Sequence, residues 1–204
     1  MGIHMGDIDE TIEDAVDKAK ESRLNTIVAV MVAVAATFMA LCNVKDGNIV
    51  QAMAQAQANG VDAWAYYQAK GTKENLAQST LEEIQLQRDT AGSTLTPEAR
   101  ALYDRKVVEY AELVKRYAKD KDEIKQQAEG FQKEYDRLNV HDDQFDMAEA
   151  LFSVAIALFG VTALTQKRGL LVVAILFAAC GGVLGLAGFA GWMLHPDFLA
   201  RLLG

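Results

Sequence analysis

The sequence is poor in proline and in clustered positive charge. Pro97 and Pro196 are its only two prolines, and the alternating β-branched patterns typical of strands are absent. Proline interrupts helices, and helix-forming residues dominate the rest of the chain, so these shortages favour an all-α fold. The net charge is -8. Nucleic-acid binding needs a concentrated basic surface, so we expect no nucleic-acid partner.

The chain also lacks the patterns of common catalytic and metal sites. Its two cysteines, Cys42 and Cys180, lie in apolar segments without metal-binding spacing and are interpreted as small apolar residues. There is no phosphate-binding glycine loop, no HExxH and no nucleophile elbow. We therefore expect no enzyme activity, no catalytic residue, no cofactor and no bound metal.

The sequence does contain three long apolar runs, and each approaches the length of about 20 residues that crosses a bilayer as a helix. They cover residues 24–42, 145–165 and 169–194. These runs predict an integral membrane protein with the lipid bilayer as its partner.

Shorter segments lie at the two ends of the sequence. Residues 1–6 are interpreted as an added leader and 7–23 as an acidic amphipathic helix, either a solvated lead-in or a surface for an unidentified protein partner. Residues 195–204 are interpreted as a short interfacial tail.

Positive charges flank the apolar runs unevenly, and this asymmetry predicts a topology. Lys20 and Arg23 precede the first run, and Lys167 and Arg168 fill the short loop between the second and third. Basic residues stay on the cytoplasmic side of bacterial inner membranes. We therefore expect a cytoplasmic N-terminus and a periplasmic segment between the first two spans.

That intervening segment, residues 43–144, carries a heptad pattern. Gly92 and Ser93 interrupt it within a turn at 89–97, and Pro97 can begin a new helix. The expected structure is an antiparallel helical hairpin with a coiled-coil seam. The seam consists of Tyr103, Tyr110, Tyr117, Ile124, Phe131 and Leu138, with Val107, Val114, Lys121, Ala128 and Tyr135 between them.

Lys121 occupies a seam position where an aliphatic residue is usual. A polar residue there can fix register or oligomeric state at some cost in stability. Alternatively, its stem packs in the seam while the ammonium group reaches water. The second interpretation is the favoured one, and the first stays open.

The run from Trp64 to Gly71 reads WAYYQAKG. It resembles the signature of an uncharacterised bacterial membrane family, the domain of unknown function four-three-three-seven (DUF4337). The resemblance implies the same layout of spans and brings no activity or site residue. In physical terms, Trp64 and Tyr67 either pack against the second arm near Lys121 and Ile124 or form contacts between protomers.

Two surfaces of the sequence favour self-association. The regular seam is one, and the spacing of Gly181 and Gly185 in the third run, which lets helices approach closely, is the other. The leading hypothesis is a homo-oligomeric scaffold or interaction module. Its candidate oligomer or packing contacts are Trp64, Tyr67, Tyr103, Tyr110, Tyr117, Lys121, Phe131, Tyr135, Gly181 and Gly185.

An acidic face supplies the alternative hypothesis, an oligomeric ion channel. Asp142, Asp146 and Glu149 lie on one side of a helix at the start of the second span and would attract cations into a vestibule. Ordinary solvation of these carboxylates is the simpler interpretation. A divalent metal site that includes His141 is the third.

Overall fold

The computed structural model describes residues 5–194, and these are almost entirely helical, with no strand among them. Helix α1 spans Met5–Ala91, a 3₁₀ helix spans Gly92–Thr94, α2 spans Pro97–Thr165 and α3 spans Arg168–Ala190. The all-α prediction is confirmed. The interfacial tail at 195–204, and all but the end of the leader at 1–6, lie outside the described residues.

Helix α1 is longer than the segments into which the sequence divides. The acidic N-terminal helix, the first apolar run and the first arm form one helix without a break. No proline occurs in it, and an internal glycine costs only about 1 kcal/mol relative to alanine. At Gly60 and Gly71 a Cβ would make ordinary contacts with the Phe131 and Lys121 side chains, at 3.7 and 3.8 Å. A Cβ would therefore fit at both positions, and neither glycine interrupts the helix.

The break between α1 and α2 lies where the glycine and proline signals place it. Gly92 has a φ of +49°, which favours glycine because a Cβ would be strained there. Thr96 then caps α2, because its Oγ1 accepts a hydrogen bond from the N–H of Ala99 at 3.3 Å. Pro97 follows as the first helical residue, where its missing N–H has no cost.

The chain divides into two compact units. We call Met1–Gln51 with Arg137–Gly204 the span unit, and Ala52–Asp136 the arm unit. In the described residues, three helices contain stretches long and apolar enough to cross a membrane.

The interior of the span unit is built from small residues and phenylalanine rings. Phe159 packs in its core with Val28, Ala155 and Ala174. A Cβ at Gly185 would lie 2.6 Å from Phe38 Cε1. Gly181 and Gly188 are also closely packed, since a Cβ there would lie 3.1 Å from the Ala148 carbonyl oxygen and 2.8 Å from the Phe145 ring. Helix α3 therefore uses these three glycines for contacts inside the chain.

The turn between α2 and α3 is held by Gln166, which adopts a left-handed φ of 56°. Its backbone N–H donates to the Thr162 carbonyl oxygen at 2.8 Å, satisfying a carbonyl at the helix end. Its side-chain Nε2 donates to Asn25 Oδ1 at 2.9 Å. The same residue thus ends α2 and ties the turn to α1.

In the arm unit, residues 52–91 and 97–136 pack along each other in opposite directions. Ion pairs join Lys70 to Asp120 and Arg88 to Asp104. A later residue of the first segment therefore pairs with an earlier residue of the second. The heptad positions face inwards. Ile124 and Ala128 are buried, and the seam tyrosines Tyr103, Tyr110 and Tyr117, with Phe131 and Tyr135, are half-buried.

Candidate functional site

The WAYYQAKG motif builds an aromatic and ionic cluster around Lys70. The Lys70 Nζ donates to Asp120 Oδ2 at 2.6 Å and lies 5.4 and 5.5 Å from the ring centroids of Tyr66 and Tyr117. Its side chain is 14% exposed. The hydrogen bond with Asp120 raises the pKa of Lys70, and the same bond lowers the pKa of Asp120. The ion pair joins the two arms at one defined register.

Lys121 makes the reciprocal contact from the other arm. Its Nζ donates to Glu74 Oε2 at 2.5 Å and lies 5.8 Å from the Tyr67 ring centroid. The hydrogen bond to Glu74 raises the pKa of Lys121. The ammonium group therefore bonds across the seam to a carboxylate of the other arm. No pattern in the sequence identified Glu74 as the carboxylate partner.

Trp64 packs against its own helix and is only partly covered. Its ring meets Tyr67 edge-to-face, with centroids 5.5 Å apart, and the residue is 40% exposed. It borders a half-open groove of about 300 Å³, which we call the Trp64 groove. The groove is lined by Ala56, Gln57, Gly60, Val61, Trp64, Ala128, Phe131, Gln132 and Tyr135. It is predominantly apolar and carries no charged lining residue.

The predicted acidic face lies in the span unit, and Asn43 and Asp46 of α1 lie beside it. Glu149 Oε2 accepts a hydrogen bond from Asn43 Nδ2 at 3.2 Å, and Asp46 faces Asp142. One carboxylate oxygen each of Asp46, Asp142 and Glu149 is buried without a hydrogen-bond partner. Asp146 is exposed. The three predicted carboxylates therefore do not share one solvated environment.

Burial and mutual repulsion change the protonation of this group. Burial, followed by the negative charge of Asp142, raises the pKa of Asp46 to about 7. Burial, followed by the charge of Asp146, also raises the pKa of Asp142. Two ionised carboxylates this close repel each other, so protonation of one of them is favoured. The pair can therefore hold a proton up to near-neutral pH.

Beside this acidic group, Gln144 is fully buried and clamps the end of α3. Its Nε2 donates to the carbonyl oxygens of Trp192 at 2.8 Å and Leu194 at 2.7 Å. Its Oε1 lies 3.0 Å from His141 Nδ1. His141, one of the residues considered for a metal, thus pairs with an amide. In the described part of the chain, no group of three His, Cys, Asp or Glu residues is placed to hold a metal ion.

Helices α1, α2 and α3 each contain a stretch long and apolar enough to cross a membrane. Along the chain, charged parts of α1 and α2 lie between the first two of these stretches. This layout is compatible with a membrane protein. The family is more specific. A family model, the domain of unknown function DUF4337, matches residues 24–191, so the chain belongs to that family. This confirms the resemblance carried by the WAYYQAKG motif. No curated protein and no solved structure matches the chain significantly.

Proposed function

We propose that this is a three-span membrane protein that serves as a homo-oligomeric scaffold, presenting a helical hairpin outside the bilayer. Insertion is supported by the outward surface of the span unit, which is apolar where a soluble protein would be polar. Val34, Leu164 and Leu176 are among its strongly exposed side chains. Such surface is stable against lipid tails and costly in water.

The arm unit supports the scaffold role. Its two helices form a coiled-coil hairpin that is locked in register by Lys70 and Lys121. Val61, Trp64 and Leu76 nevertheless stay exposed. Exposed large apolar side chains on a rigid helical surface are typical of protein interaction sites, and this exposure is the observation that carries the proposal. Further support comes from the basic loop at 166–168, which favours a cytoplasmic N-terminus and an outer, periplasmic hairpin in a bacterial inner membrane.

Mass measurement of the full chain in lipid nanodiscs and mild detergent tests the scaffold role. We expect a defined multimer whose mass is the same in both environments. A monomer of uniform mass over the accessible concentration range in both environments would rule out the homo-oligomeric scaffold. Protease protection in oriented vesicles tests the topology, with cleavage expected within 43–144 only from the outer side.

A second candidate function, cation conduction, is favoured by the acidic group of the span unit. Asp46, Asp142 and Glu149 bury oxygens that lack partners, and Asp146 is exposed beside them. Such a group lowers the local potential for cations. In planar bilayers, Asp146→Asn should lower unitary cation conductance, while Asp62→Asn, an exposed carboxylate of the arm unit, should not. Identical currents for both variants, or none from wild type, would count against conduction.

A further inference from the structure

We propose that the Trp64 groove is the surface through which two copies of this chain associate, arm unit against arm unit. The inference rests on the proposed scaffold function and names its interface. The groove combines a half-exposed tryptophan with Phe131 and Tyr135 and is open on one side. Large aromatic residues in pockets dominate the binding energy of protein interfaces.

The surface beside the groove has no formal charge along six turns of α1. Its residues recur at spacings of three and four, so they share one face of the helix, opposite the buried seam. They are Ala54, Ala58, Val61, Ala65, Ala69, Thr72 and Leu76, all exposed. Asp62 lies only at the edge of this face. The groove and its border together form an uncharged strip in which Val61 is 64% exposed.

Charge matching indicates what covers the strip. The exposed surface of α2 in the arm unit is mainly charged, with Glu112, Lys115, Arg116 and Lys119 among its residues and Leu102 and Val108 as exposed apolar exceptions. Placing such charges against an apolar strip would remove them from water without partners, which is unfavourable. The matching surface that this chain offers is therefore the same strip on a second copy. A pairing of identical surfaces is the usual geometry of a two-fold dimer.

The glycine face of α3 does not compete for this role. Gly181, Gly185 and Gly188 contact Phe152, Phe38 and Phe145 within one chain. The close-packing surface expected to bind another copy is thus already covered. Among the described residues, by contrast, nothing covers Trp64 and Val61 of the groove, which stay 40% and 64% exposed.

Two matched substitutions test the proposal. Val61 and Val108 are both 64% exposed, on α1 and α2 of the arm unit. Sedimentation or light scattering of the full chain in detergent, over a dilution series, should show that Val61→Glu raises the dissociation constant at least about tenfold. Val108→Glu should leave it within about twofold. Circular dichroism checks that both variants keep wild-type helicity.

Cysteine cross-linking gives an independent measurement. With exposed Cys180 replaced by alanine and Cys42 buried, Val61→Cys should form a disulfide dimer under mild oxidation, and Val108→Cys should not. Copies anchored in the same bilayer run parallel, so the two Val61 positions would face each other.

The outcomes separate the interface from the scaffold. If wild type associates but Val61→Glu associates equally well and residue 61 does not cross-link, the groove proposal is wrong and the scaffold stands. If wild type never associates, both fail.

Discussion

The span unit and the arm unit bring their helices together by different physical means. In the span unit, phenylalanine rings lie against glycines of α3. In the arm unit, a heptad seam is combined with cross-arm ion pairs at Lys70, Lys121 and Arg88. Close packing is the main attraction between helices in lipid, where the span unit is proposed to lie. The arm unit, proposed to lie in water, gains from both burial and paired charge.

The largest effect is expected from adding a single methyl group to the span unit. Gly185→Ala places a Cβ 2.6 Å from Phe38 and 3.0 Å from Cys42 Sγ, so neighbouring side chains must shift. Overpacking of this kind costs about 1–3 kcal/mol in unfolding free energy. Trp192 fluorescence in a Trp64→Phe background would follow thermal unfolding of this unit.

Gly182→Ala is the matched control, because no heavy atom lies within 4 Å of a Cβ there. It should leave the unfolding midpoint unchanged or slightly higher. Equal midpoints for the two variants would contradict the close-packing account of the span unit.

A smaller effect is expected from removing the Lys70–Asp120 ion pair of the arm unit. Lys70→Met keeps an apolar stem but removes the ion pair with Asp120 and the contacts with two tyrosine rings. The midpoint measured by Trp64 fluorescence in a Trp192→Phe background should fall. Lys115→Met, which breaks only an exposed pair with Glu112, should have no measurable effect.

A double-mutant cycle sharpens this prediction. Lys70→Met and Asp120→Asn should be non-additive, since either change removes the same interaction. Additive losses would show that the two residues stabilise the arm unit independently.

The last prediction concerns the pH dependence of the span unit. Asp46 has a pKa of about 7 in the folded protein against 3.8 as its ordinary value. Between these values the folded state binds a proton that the unfolded state has lost, so stability falls as pH rises from about 4 to about 7. Asp46→Asn should flatten that slope and stabilise the protein above pH 7. An unchanged slope of midpoint against pH would contradict this prediction.

The sequence predicts those features that depend on local pattern. Apolar length predicts the three long apolar helical stretches, and heptad spacing identifies Ile124 and Ala128 as buried positions, because both signals repeat along one helix. The Gly92 and Pro97 signals place the break for the same reason.

Features that depend on register between distant segments were not predictable. The sequence marks Asp142 but not Asp46, and Lys121 but not Glu74, since each pair depends on how one helix is aligned with another. The contacts of Gly181 and Gly185 were not predictable for the same reason. Their spacing indicates close approach by a helix, but whether that helix belongs to the same chain depends on the packing of the whole span unit.

The two hydrogen bonds donated by Gln144 link residues that are synthesised at different times. Synthesis proceeds from the N-terminus, so Gln144 is in place well before its partners Trp192 and Leu194. Both donors of this amide are satisfied only once those two carbonyl groups are in place. The segment after α3 therefore completes the hydrogen bonding of a residue that lies about fifty positions earlier in the chain.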